Sequence, residues 1–97
     1  MEKIRIDLVR LKTEEDALKR FGRLKGMPED YNSELEELHG ILQAWDKPLK
    51  IEIVIGGNIG PFTKLMEMLE DVRTTNNNLL FVVIMYMAVS YTHLTLP

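Results

Sequence analysis

The apolar residues of the chain follow two periods, one typical of strands and one typical of helices. In residues 3–8, isoleucine and leucine alternate with charged residues, which predicts a half-buried strand. Leu49–Ile55 ends in an isoleucine-rich run that predicts a strand buried on both faces. Leu79–Met87 is almost wholly apolar, so we expect this third strand to lie at the centre of the sheet.

Three further stretches carry apolar residues at helical spacing. The first begins at Thr13, a favoured N-cap followed by three acids, and ends before Gly26. The second begins at Ser33, which forms a capping-box pattern with Glu36 three residues later. The third begins near Pro61, a residue favoured in the first turn of a helix. The residues predicted to face inward are Ala17, Leu18, Phe21 and Leu24, then Leu35, Leu38, Ile41, Leu42 and Trp45, then Phe62, Leu65, Met66, Leu69 and Val72.

The predicted order is therefore β-α-α-β-α-β. Its connections are long enough for helical crossovers, so we expect a small α/β fold with a three-stranded parallel sheet and packed helices. Residues 1–88 form a single predicted domain. Residues 89–97, VSYTHLTLP, break the pattern and resemble a translated sequencing-adapter remnant of the kind that closes gene predictions from metagenomic, mostly bacterial, assemblies. We therefore expect these residues to be non-native or disordered.

Composition points to an ordinary soluble domain. The chain has 97 residues and no cysteine, which removes disulfide and thiolate chemistry and fits a reducing compartment. Its longest apolar run, Leu79–Val89, is too short to span a bilayer, and no signal pattern opens the sequence. The expected location is the cytoplasm, and the expected state is a monomer that binds no membrane.

Charge is distributed unevenly along the chain. Residues 1–25 carry eight Lys and Arg against five acids, whereas residues 26–46 carry six acids and no Lys or Arg. Such an acidic segment repels nucleic acid and attracts a basic partner, so we expect the chain to bind no nucleic acid. A solvated helix face with no partner has the same composition, so charge alone leaves both interpretations open.

Candidate catalytic and metal sites find little support. The glycine-rich loop Gly56–Gly60 sits between a strand and a helix, where phosphate loops occur, but it matches neither common phosphate-binding pattern. Glu36 and His39 form an E-x-x-H pair, yet no second pair or further carboxylate motif accompanies it. We predict no catalytic residue, no metal and no cofactor. A small enzyme that uses Glu36 and His39, or an anion at the glycine loop, remains a third-ranked alternative.

The second helix carries the most informative oddity. Gly40 lies on the polar side of this helix, where glycine costs about 1 kcal/mol relative to alanine. Three explanations stay open: a harmless gap tolerated on a solvent-exposed face, a site where another surface approaches closely, or the loss of a functional side chain.

The loop and second helix, MPEDYNSELEELHGILQAW, followed by a turn with Pro48 and a strand, resemble the barstar family of barnase-type ribonuclease inhibitors. The resemblance runs from about residue 3 to residue 85 and implies a barstar-like fold. In that family the loop and helix plug a ribonuclease active site, and acidic side chains take the place of RNA phosphates. The implied partner is a basic barnase-like ribonuclease or a diverged toxin.

The resemblance implies a set of partner-binding positions in this chain. Glu36 falls where the family usually has an aspartate that faces the enzyme, and Gly40 falls on the family's principal inhibitory aspartate. Asp71 matches an acidic contact position. The full implied set is Asp30, Tyr31, Asn32, Glu36, His39, Gly40, Gln43 and Asp71. Because Gly40 lacks the expected charge, two functions stay open. One is ribonuclease inhibition, and the other is a barstar-fold interaction or regulatory protein that has lost it.

Overall fold

The computed structural model describes residues 2–86, which form one parallel sheet with helices packed on it. The strands are β1 (Glu2–Asp7), β2 (Leu49–Ile55) and β3 (Leu79–Met85). The helices are α1 (Glu14–Phe21), α2 (Leu35–Gln43) and α3 (Thr63–Thr75), and a 3-10 turn at Gly60–Phe62 precedes α3. The predicted order and fold class are confirmed. The predicted strand end at Met87 and the tail 89–97 lie outside the described residues.

The strand order is β1-β2-β3, with both pairs parallel. The prediction that the third strand is central was wrong, because β2 holds that place in the described sheet. Both crossovers carry the chain in the same direction across the sheet. With the usual right-handed connection, this topology places the helices on a single face. The second strand in sequence therefore becomes the central one, whatever the composition of the third.

Burial follows from this topology. β2 is buried along most of its length, as its sequence predicted. Even Glu52, on the face of the sheet opposite the helices, is buried. Arg5 on β1 donates to the Glu52 carboxylate at 3.4 Å. In β3, by contrast, Val83 and Met85 are 45% and 52% exposed. The apolar run therefore predicted correctly that β3 is a strand, but it did not indicate whether that strand lies at the edge or in the centre of the sheet.

The core lies between the sheet and the helices. Its largest fully buried side chains belong to the three α-helices, the 3-10 turn, β2 and the residue that follows β1, namely Phe21, Phe62, Leu8, Leu38, Leu42, Ile51, Ile53, Leu65 and Val72. Burial of each such side chain contributes about 1.5–3 kcal/mol. Within residues 2–86, no helix combines the length and the apolar character that crossing a membrane requires.

α1 is shorter than its apolar pattern predicted and ends at Phe21. The chain turns at Gly22, where an added Cβ would lie 3.3 Å from the ring of Tyr31. Gly26 then adopts a positive φ of 105°, which favours glycine. The segment between α1 and α2 is therefore an ordered loop with glycine at two sterically restricted positions, and it does not continue the helix.

The end of α3 is tied to the end of α2 by one buried side chain. Asn76 donates its amide group to the carbonyl oxygens of Leu42 at 2.8 Å and Trp45 at 2.9 Å. Leu42 lies in the last turn of α2 and Trp45 just after it, where carbonyls lack the regular helical donor four residues on. Asn76 adds a donor to each of them, and the Leu42 oxygen also accepts the Trp45 N–H at 3.2 Å. Asn76 therefore links the end of α3 to the end of α2.

Candidate functional site

The N-terminus of α2 differs from the predicted capping box. Ser33 has a positive φ of 61°, and the N-cap position falls to Glu34, which makes no side-chain capping bond. A capping serine needs an extended backbone, so the left-handed conformation of Ser33 removes it from that role. The prediction of a Ser33–Glu36 capping box was therefore wrong.

Glu37 performs the stabilising role instead. Its Oε1 accepts the backbone N–H of Asn32 at 2.7 Å, so the carboxylate reaches back from the first turn of α2 to the preceding loop. Glu36 is left exposed at the surface, with no capping role. The acid at the position implied for partner binding is thus available to solvent.

Tyr31 is anchored inside the molecule. Its hydroxyl donates to the carbonyl of Leu18 at 2.6 Å, one of the last carbonyls of α1. Burial, together with the nearby Glu37 carboxylate, raises the pKa of Tyr31 to about 12. The tyrosine therefore holds the loop against α1, and only part of its ring remains at the surface.

His39 and Asp71 are 32 residues apart in sequence but meet between α2 and α3. His39 Nε2 lies 2.8 Å from Asp71 Oδ2, and Gln43 Nε2 lies 3.5 Å from the same oxygen. Because an ionised carboxylate can only accept, His39 Nε2 is the protonated ring nitrogen in this contact. The histidine ring is 34% exposed and the aspartate 55% exposed.

Gly40 leaves an open position beside this pair. A Cβ added to it would meet no neighbouring atom within 4 Å. Glu36 lies four residues before it and Gln43 three residues after it, so all three share one helix surface. A longer side chain at position 40 would therefore extend into solvent between them.

The positions predicted to bind a partner fall into two groups according to the segment of the structure in which they lie. His39, Gly40, Gln43 and Asp71 form a continuous surface that we call the α2–α3 patch. Asp30, Asn32 and Glu36 are exposed on the loop and the first turn of α2. Tyr31 is the exception, because its hydroxyl is engaged with α1.

In the part of the chain that it describes, the structure gives no support to a metal site, to a catalytic Glu36–His39 pair or to an anion site in the glycine-rich loop. His39 pairs with Asp71 and not with Glu36, so the two residues of the E-x-x-H pair do not contact each other. Among the described residues, no group of three or more metal-ligating side chains is arranged to hold an ion. In the loop Gly56–Gly60, the Asn58 side chain accepts the Gly60 N–H at 3.3 Å, which is a local turn contact.

Sequence reasoning missed Glu37 and Asn76. Glu37 was one of two adjacent glutamates, and the sequence did not show that the helix would begin after Glu34, which makes Glu37 its third residue and brings it within reach of the loop. Asn76 was one residue in a run of three asparagines that predicted only the end of a helix. A buried partner is visible for it only once α2 and α3 are packed together.

A search of protein-family models and of curated proteins finds no match to this sequence.

Proposed function

We propose that this chain is a protein inhibitor of a basic ribonuclease, which it covers with the acidic loop and the α2–α3 patch. The observation that carries the proposal is the meeting of implied contact positions from two separate segments. His39 and Gln43 of α2 and Asp71 of α3 lie on one surface, with Gly40 among them. The proposal also rests on the resemblance of the loop and α2 to the barstar family.

Electrostatics supports this kind of partner. Residues 26–46 bring six acids and no Lys or Arg to the loop and α2. Asp30 and Glu36 are exposed and form no ion pair within residues 2–86. Such a surface accelerates association with a basic active site and repels RNA, which competes for the same cationic groups.

The loop also has the rigidity that an inhibitory surface needs. Tyr31 holds it to α1, and Glu37 holds Asn32 to α2. A preorganised binding loop loses less conformational entropy on association than a mobile one. These two contacts therefore favour tight binding without touching the partner.

A second function is favoured by Gly40 and Asp71. Gly40 provides no charge where the resemblance implies the principal inhibitory aspartate, and His39 already occupies one oxygen of Asp71. Loss of a central charged contact removes much of the affinity of such interfaces. The alternative is a barstar-fold interaction or regulatory protein with a different partner.

Titration of the purified chain into a barnase-like ribonuclease, with RNA cleavage as the readout, tests the first function. We expect cleavage to fall as the inhibitor is added, and to recover at high salt because the attraction is electrostatic. Unchanged cleavage at micromolar inhibitor would reject inhibition of this enzyme class. Affinity capture from the source cells would then separate the two functions, since a basic nuclease supports the first and another protein supports the second.

A further inference from the structure

A cleft lies at the end of the sheet where the parallel strands begin. It has a volume of about 890 Å³ and is bounded by the starts of β1 and β2, the segment after α1 and the turn before β2. Cavities of this size accommodate small organic ligands. Its floor is apolar and includes Ile4, Leu24 and Leu49.

The rim of the cleft is strongly cationic. Lys3, Arg23, Lys25 and Lys47 line it, and Glu2 is the single acid in the lining. None of these four cations forms an ion pair within residues 2–86, where the paired basic side chains are those of other residues. Four like charges around one cleft repel one another, so an anion placed among them is favoured.

Trp45 brings an aromatic ring to the same cleft. Its carbonyl accepts hydrogen bonds from Asn76 at 2.9 Å and Asn78 at 3.2 Å, which fixes the backbone that carries the ring. Gly26 lies over the ring, because a Cβ added there would sit 3.4 Å from Trp45 Cη2. The indole is partly exposed and lines the cleft next to the cationic rim.

We infer that this cleft binds nucleotide phosphates, with the base against Trp45 and the phosphates among Lys3, Arg23, Lys25 and Lys47. Each part of the ligand has a counterpart in the lining. Bases stack on aromatic side chains, and clustered cations attract phosphates without requiring a particular sequence. A free nucleotide and a short stretch of single-stranded RNA share this chemistry.

The cleft does not use the acidic surface and does not depend on the proposed inhibition. Three of its cations come from residues 1–25 and the fourth is Lys47, all outside the acidic segment 26–46. The expectation that the chain binds no nucleic acid was drawn from that segment alone. The cleft shares only the uncharged Gly26 and Trp45 with that segment, and its cations lead to the opposite expectation for this end of the sheet.

Trp45 is the only tryptophan in the chain, so its fluorescence reports directly on the cleft. ATP and a short oligouridylate are titrated into the full chain, and inorganic triphosphate is tested by competition. We expect saturable quenching by at least one of the two base-containing probes, and weaker binding of inorganic triphosphate. Tighter binding of ATP would identify free nucleotides as the ligand, and tighter binding of oligouridylate would identify single-stranded RNA.

Charge reversal in the cleft gives the specific test. Lys25→Glu and Lys47→Glu change exposed side chains, and each is expected to weaken binding about tenfold through loss of a charged contact. Lys64→Glu is the matched control, because it reverses an equal charge on α3, outside the cleft lining. The control should leave affinity within about twofold.

Three results would overturn the inference. The first is the absence of saturable quenching by both base-containing probes at millimolar concentration. The second is equal weakening by Lys64→Glu and Lys47→Glu, which would show general attraction and not a site. The third is binding of inorganic triphosphate as tight as that of ATP and oligouridylate, which would exclude a role for the base and for Trp45.

Discussion

His39 Nε2 on α2 lies 2.8 Å from Asp71 Oδ2 on α3, and this contact joins two segments that the sequence separates by 32 residues. Both side chains are at the surface, where such pairs contribute only about 0.2–1 kcal/mol to stability. The pair therefore follows from the packing of the two helices and contributes little to the stability of that packing. The buried apolar side chains of both helices and the hydrogen bonds of Asn76 hold them together.

Asn76→Ala is expected to lower the free energy of unfolding by about 2 kcal/mol or more. The change removes one donor from each of the Leu42 and Trp45 carbonyl oxygens and also removes the acceptor of the Asn78 N–H. Each of these hydrogen bonds contributes about 0.5–1.5 kcal/mol. Urea denaturation measures the loss. Asn77→Ala is the matched control, because Asn77 is exposed and its replacement should change stability by less than about 0.5 kcal/mol. Equal losses of stability in the two variants would show that the hydrogen bonds from Asn76 to the end of α2 do not stabilise the fold.

Tyr31→Phe tests the anchor of the loop. Loss of the hydrogen bond to Leu18 should lower the free energy of unfolding by about 1 kcal/mol at neutral pH. The pKa of Tyr31 is raised from 10.0 to about 12 in the folded chain. Its contribution is therefore fully present below pH 10 and is lost as the pH rises through 12.

The wild-type chain should accordingly lose stability between pH 10 and pH 12 more steeply than Tyr31→Phe. Denaturation midpoints of the two proteins across this range provide the comparison. Parallel pH profiles would show that Tyr31 titrates equally in the folded and unfolded states.

Gly40→Asp is expected to create or strengthen binding to a barnase-like ribonuclease, if the α2–α3 patch is the inhibitory surface. The new carboxylate has open space, and it extends the acidic surface from Glu36 toward Asp71. Stability should change little, since aspartate is slightly better than glycine in a helix and the nearby Glu36 offsets part of the gain.

Gly57→Asp is the control for this charge. Gly57 is also exposed, has no atom within 4 Å of an added Cβ, and lies in the β2–α3 connection away from α2. Inhibition assays should show a gain for Gly40→Asp and none for Gly57→Asp. Equal affinities of both variants for the enzyme would show that the recognition surface has been placed wrongly.

Ser33→Gly is expected to stabilise the chain by about 0.5–1 kcal/mol. Ser33 has a φ of 61°, a conformation that costs a non-glycine residue about 1–2 kcal/mol, and relief of this strain outweighs the greater entropy of glycine in the unfolded chain. Thermal or urea denaturation measures the gain. Ser33→Ala keeps the Cβ and should bring no gain, so stabilisation by both variants would argue against backbone strain.

Ile53→Ala and Val83→Ala compare the central strand with the edge strand. Ile53 and Val83 are register partners, but Ile53 is fully buried whereas Val83 is 45% exposed. We expect the first change to cost about 2–5 kcal/mol and the second less than half as much. Similar losses in urea denaturation would indicate that Val83 is as well packed as its neighbour.

The sequence by itself determined the number, type and order of the elements. Alternation in β1, the isoleucine-rich run in β2 and the helical spacing of the apolar residues are local signals, because each reports which side of one element meets the core. The same signals marked α2 as the acidic helix and singled out Gly40 on its outer surface. Gly40 is open in the structure, in agreement with that placement.

Tertiary structure alone decided the features that depend on two distant segments. An apolar strand is stable at the edge or in the centre, so only the direction of the crossovers placed β2 between its neighbours. The pairing of His39 with Asp71, the burial of Asn76 and the cleft that gathers Lys3, Lys25 and Lys47 each require α2, α3 or the strand ends to be packed first. Periodicity describes a residue relative to its own element, whereas a site is defined by distances between elements.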